Sequence, residues 1–352
     1  MARRVVLHIG PRKTATTYLQ RVLQRCVEDA AIPATAYPVR TRGRVDHNHV
    51  PGLIDLARSQ GEISLQEDAW THQDGSDARA LLDAVSSADG DVILSAEALS
   101  VLRASGAAAV VTALAPAPVD VVITARDLGR VLPSSWQQHM RNGNFEAYDD
   151  YLALRSEERT SRREEAELGR GFWRAYRYGQ LARRWAQVAR SACVVTVPAS
   201  GADVSEIWRR FREAAVMPAL PEQPPAIDLE AANISLTAAE SMALQGLNLV
   251  ARREGEGRRE VRAWQRLLIR RGWTERPDRG PRLGLPEGMV ATVRAWAEED
   301  RADLAASGIR IIGSLDDLSV STQTPGMPDA AAVAEAAGAA ILLMLRGPRR
   351  DA

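Results

Sequence analysis

Along the chain, short uninterrupted runs of aliphatic residues alternate with longer stretches in which apolar positions recur three and four apart. Residues 5–9, 91–95, 119–125 and 192–197 are of the first kind, rich in Val and Ile and closed by turn residues, as in strands buried on both faces. Residues 309–312 add a short edge strand. After the first run, Tyr18, Leu19, Val22, Leu23, Cys26 and Val27 mark a helix. After the third, Leu128, Val131, Leu132, Ser135 and Trp136 mark another, stopped by Asn142-Gly143-Asn144. Trp173, Tyr176, Leu181 and Trp185 share one helical face, and residues 203–215 form a further helix. Strand followed by helix, repeated, predicts an α/β fold with a parallel sheet flanked by helices.

Pro218, Pro221, Pro224 and Pro225 change the pattern. Beyond them the chain is chiefly helical: 236–253 behind a cap signal at Asn233-Ile234-Ser235, then 258–271, then 286–307. Residues 323–328 read as a linker, and 330–345 as an alanine-rich apolar helix interrupted by Glu335. That helix is short for a membrane span. It is expected to dock on its own domain or on a second copy, as a homodimer contact. The organisation is therefore a core over 1–220, a mainly helical extension over 221–322, and a linker with a terminal helix over 323–352. The mixed charge run 155–170 is expected to be a solvated helix or lid.

Charge narrows the partners. The 45 basic and 45 acidic residues cancel to a formal net charge of +0, so no global field attracts nucleic acid or an anionic membrane. Cys26 and Cys193 form neither a disulfide framework nor a metal cluster, and a reducing cytoplasm is expected. Arg3 and Arg4 precede only the first strand, so no secretory signal is expected.

The densest chemistry follows the first run, in Gly10-Pro11-Arg12-Lys13-Thr14-Ala15-Thr16-Thr17. A strand, tight loop and helix place the unpaired first-turn amides, and the positive end of the helix dipole, above the strand end, where an anion fits. Lys13 adds a full charge, and Thr14, Thr16 and Thr17 add hydroxyl donors. Nucleotide triphosphatase loops follow G-x-x-x-x-G-K-[ST], with the lysine directly before the hydroxyl residue that holds magnesium. Here the lysine comes too early and no glycine stands directly before it.

This early-lysine loop resembles that of the sulfotransferases that use 3′-phosphoadenosine-5′-phosphosulfate (PAPS), in which a strand runs into a proline, a lysine, a small residue, a glycine and two threonines. Pro11, Lys13, Thr14, Ala15, Thr16 and Thr17 keep that order. Arg12 is an insertion, and Ala15 replaces the glycine, so the loop is expected to take its Cβ without strain. The resemblance extends downstream: an arginine after a strand and a serine eight positions on form the family's 3′-phosphate site, and Arg126 and Ser134 keep that interval. It implies a P-loop, sulfotransferase-like fold and sulfuryl transfer from PAPS to a hydroxyl of a carbohydrate, lipid or small molecule, an amine being the second choice. It also implies no metal. Arg12, Lys13, Thr14, Ala15, Thr16 and Thr17 would hold the 5′ side of the donor, with Lys13 also at the bridging oxygen.

A base for the acceptor proton is sought at Glu97 and His49. Glu97 follows the second strand, and in a parallel sheet that end borders the ligand crevice; the alternative is a helix cap or a pair with a loop arginine. His47 and His49 read as solvated loop residues, with zinc disfavoured by the lack of a second ligand cluster, and a base or acceptor-side role left for His49. Two rival readings are a P-loop kinase and a noncatalytic adaptor on the same fold.

Overall fold

The computed structural model describes residues 1–38, 40–41, 44–45, 48–58, 75–161, 171–227, 235–274, 276, 278–321 and 327–346. The elements are, in chain order, β1 (Arg4–His8), α1 (Thr16–Glu28), the two-residue strands β2 (Arg40–Thr41) and β3 (Arg44–Val45), α2 (Val50–Arg58), α3 (Ser76–Ser86) and β4 (Asp91–Ser95). A 3-10 turn over Glu97–Val101 leads to α4 (Ala104–Ala113), β5 (Val119–Ala125), α5 (Leu128–Arg141) and α6 (Tyr148–Thr160). Then come α7 (Phe172–Tyr176), α8 (Tyr178–Ala186), β6 (Ser191–Thr196) and α9 (Ser205–Ala215). The rest is α10 (Ala238–Arg253), α11 (Arg258–Leu267), a wide turn over Leu268–Trp273, α12 (Glu287–Ala305), β7 (Arg310–Ile312) and α13 (Ala330–Arg346).

Five strands form one all-parallel sheet in the order β4-β1-β5-β6-β7, so the fold is α/β with flanking helices. Val5 pairs with Val92 on one side and Val119 on the other, and β1, β4 and most of β5 are buried, which their continuous aliphatic runs foretold. The chain leaves β1 toward β4, and β5 returns on the opposite side. The order therefore reverses between β1 and β5, and the crevice at such a switch point is where open parallel sheets take ligands.

The chain falls into two compact units. One comprises Met1–Asp127, Glu157–Ile227 and Trp296–Ser319 and contains the sheet. Within it the Arg159 guanidinium lies over the rings of Trp173 and Trp296, 4.7 and 5.4 Å from their centres, and pairs with Asp300 at 2.8 Å. Residues 172–186, read as one helical face, are two helices broken at Arg177 (ψ 84°), though Trp173, Tyr176, Leu181 and Trp185 are all buried.

The other unit comprises Leu128–Ser156, Asp228–Ala295 and Val320–Ala352. Its helix α10 starts two residues later than expected: Thr237 and Glu240 form a reciprocal capping box, while Asn233 and Ile234 lie outside the described residues. The Asn248 amide reaches the carbonyls of Met140 and Asn144 at 2.7 and 2.6 Å, tying α10 to the end of α5. Helix α13 docks within its own unit, where the Trp273 indole donates to the Ala336 carbonyl at 2.9 Å. Among the described residues no helix is long and apolar enough to cross a membrane.

Candidate functional site

At the switch point, β1 passes into the loop 9–15. Gly10 lies so close to β5 that a Cβ there would land on the Thr124 hydroxyl and sit 3.0 Å from His8 Nε2, so only glycine fits without a shift. Four successive carbonyls are then tied down. Thr16 Oγ1 shares its proton between Gly10 (3.3 Å) and Pro11 (3.2 Å), Thr14 Oγ1 donates to Pro11 (2.6 Å), the Tyr176 hydroxyl to Arg12 (2.7 Å), and Arg126 Nη1 to Lys13 (3.0 Å). Because each trans peptide points its N–H away from its C=O, fixing the carbonyls of Pro11, Arg12 and Lys13 turns the amides of Arg12, Lys13 and Thr14 the other way. No side chain caps α1, and among the described residues no backbone carbonyl accepts from the amides of Thr14, Ala15, Thr16, Thr17 or Tyr18. The result is a concave set of donors at a positive helix end, suited to an anion.

Three expectations for this loop change. Ala15 is not in a helical conformation: its φ is +66°, and Lys13 is also left-handed at +68°, so both carry a Cβ where glycine is at ease. The Thr14 and Thr16 hydroxyls are buried and donate to loop carbonyls, because those carbonyls need partners before the amides can turn outward. Thr14 and Thr16 therefore build the loop from inside. Thr17 and Lys13 are half-buried and Arg12 is exposed.

Arg126 follows β5, adjacent to β1, and its guanidinium holds the Lys13 carbonyl although 113 residues separate them. Its own backbone is gripped by Tyr178, whose hydroxyl accepts from the Arg126 N–H at 3.0 Å and donates to its carbonyl at 2.7 Å. Ser134 is half-buried on α5 and belongs to the other unit. Glu97 opens the 3-10 turn after β4, half-buried, and accepts from Gln20 Nε2 of α1 at 3.2 Å.

His49 is not placed as a base. It is buried, its Nδ1 accepts from the Ser95 amide at 3.0 Å, and its Nε2 lies 2.9 Å from the Pro38 carbonyl. A carbonyl only accepts, so Nε2 carries the proton and both ring nitrogens are spent on the backbone. Burial pushes its pKa down to about 4. His49 fastens its segment to the end of β4, and His47 lies outside the described residues. The histidine that does enter the site is His8, fully buried between Ser95 and Thr124. A single imidazole inside an otherwise aliphatic strand was the sequence signal for it. Among the described residues no group of His, Cys, Asp and Glu is arranged to hold a metal ion. No known family model matches the chain, nor does any curated protein or solved structure.

Proposed function

We propose that the chain is a PAPS-dependent sulfotransferase on a P-loop, sulfotransferase-like α/β core. The observation that carries this reading is the bond from Arg126 Nη1 to the Lys13 carbonyl, which joins the two halves of the donor signature at neighbouring strand ends. The outward amides and Thr17 would hold the 5′-phosphate, and Arg126 the 3′-phosphate, through the charge-assisted bonds a guanidinium makes. An acceptor hydroxyl attacks sulfur, the bond from sulfur to the 5′-phosphate oxygen breaks, and adenosine 3′,5′-bisphosphate leaves. Lys13 meets the charge that grows on that oxygen, and Glu97 takes the acceptor proton.

The kinase reading is weakened by Thr14. Its hydroxyl, the one placed to hold magnesium directly after the lysine, is fully buried and bonded to Pro11 and Thr124. Ligand-induced melting separates the readings. Adenosine 3′,5′-bisphosphate at a hundred times its Kd, without magnesium, should stabilise the fold by about 2.7 kcal/mol. Stabilisation by magnesium-ATP alone would favour the kinase, and by neither, the adaptor. In a labelled-sulfate screen over glycans, lipids and phenols, Lys13→Ala should cut transfer by about 10²–10³-fold while the fold survives.

A further inference from the structure

Beneath the loop, one file of side chains runs across three strands. Glu97 Oε2 lies 3.2 Å from Gln20 Nε2, Gln20 Nε2 lies 3.0 Å from Ser95 Oγ, and Ser95 Oγ lies 2.9 Å from His8 Nδ1. On the other side of the ring, His8 Nε2 lies 3.3 Å from Thr124 Oγ1, which is 2.7 Å from Thr14 Oγ1, itself 2.6 Å from the Pro11 carbonyl. The middle of the file is sealed: His8, Ser95, Thr124, Thr14 and Gln20 are all buried, and Phe211 packs edge-on against the imidazole at 5.4 Å.

The direction of every bond follows from its end. The Pro11 carbonyl can only accept, so the single Thr14 proton goes to it, and Thr14 must accept from Thr124. Thr124 has then used its proton and must accept from His8, which puts the ring proton on Nε2. Burial keeps the ring neutral, with its pKa pushed down to about 3, so Nδ1 is left as an acceptor and Ser95 donates to it. Ser95 in turn accepts from the Gln20 amide, whose Nε2 also donates to Glu97. The file thus ends on a Glu97 carboxyl oxygen that accepts.

We infer that His8, as the Nε2–H tautomer, is a positioning residue that joins the donor loop and Glu97 in one hydrogen-bond file, with Nε2 serving the loop and Nδ1 serving the base. This rests on the donor and base roles proposed above. The two arms can be cut separately. By bond count, an asparagine amide reaches as far as Nδ1 and a glutamine amide as far as Nε2. His8→Asn should keep the Ser95 arm and lose the Thr124 arm, so affinity for adenosine 3′,5′-bisphosphate by calorimetry falls about tenfold while the single-turnover rate at saturating PAPS holds. His8→Gln should do the reverse, holding affinity and lowering that rate about tenfold.

A residue that only fills space would not divide in this way, and any pattern without the opposite split overturns the proposal. Should either variant fail to fold, Thr124→Val and Ser95→Ala cut the same arms one group further out, and the same split is required of them. If the wild-type chain binds no adenosine 3′,5′-bisphosphate, the sulfotransferase reading fails on its own account. The file is then judged by nitrogen NMR of the His8 ring: a proton on Nε2 upholds it, and a proton on Nδ1 overturns it.

Discussion

Lys13 and Ala15 hold left-handed backbone, at φ +68° and +66°, within three residues of each other. For an L-residue with a Cβ this costs about 1–2 kcal/mol, offset here by the bonds that fix the neighbouring carbonyls. Ala15→Gly removes the Cβ penalty but adds freedom to the unfolded chain, for a net gain of about 0.5–1 kcal/mol. A thermal melt should show a midpoint higher by about 1–3 °C. An unchanged or lower midpoint would mean the loop carries this Cβ without strain. The identity of these residues was plain from the sequence, but their conformation was not. It is imposed by Tyr176 and Arg126, which meet the loop from more than a hundred positions away.

At the scale of elements, aliphatic runs placed every strand of the main sheet within one residue of its observed ends, because burial on both faces leaves little freedom in composition. Helix α5 likewise ends at Arg141, ahead of Gly143 at φ +86°, as Asn142-Gly143-Asn144 indicated. The break between α7 and α8 was hidden, since Tyr176 and Tyr178 look like ordinary core residues and their hydroxyls have partners remote in sequence. That break lets two tyrosines reach two different strand ends: Tyr176 the Arg12 carbonyl, and Tyr178 the backbone of Arg126. Tyr176→Phe should therefore lower stability by about 1 kcal/mol in a urea titration. It should also weaken binding of adenosine 3′,5′-bisphosphate by about three- to tenfold, because the loop loses one fixed carbonyl. A variant with lowered stability and unchanged affinity would make Tyr176 a packing residue only.

For the molecule as a whole, two neutral histidines are sealed in the sheet-bearing unit, with pKa values pushed by burial to about 3 for His8 and about 4 for His49. In the unfolded chain both titrate near 6.5, so below that pH the unfolded state binds more protons than the folded one. Their contribution is complete above about pH 6.5 and is lost as the pH falls toward their folded values, by about 1.4 kcal/mol per unit for each ring. Between pH 7 and pH 5 the two together should lower the unfolding free energy by about 4 kcal/mol, read from urea titrations at both values. His49→Gln should halve that loss. Equal stabilities at the two pH values would show that the rings take up protons without unfolding.

The four tethered carbonyls of residues 10–13 have a consequence for how such a motif travels. Only two of their partners, Thr14 and Thr16, lie inside the stretch that carries the signature; the other two, Tyr176 and Arg126, come from the wider fold. The cup is thus a property of an address and not of a string of letters. Residues 10–17 grafted onto another strand-to-helix junction should relax and lose their grip on anions, and the graft should recover it only when a tyrosine hydroxyl and a guanidinium are supplied at the same two carbonyls.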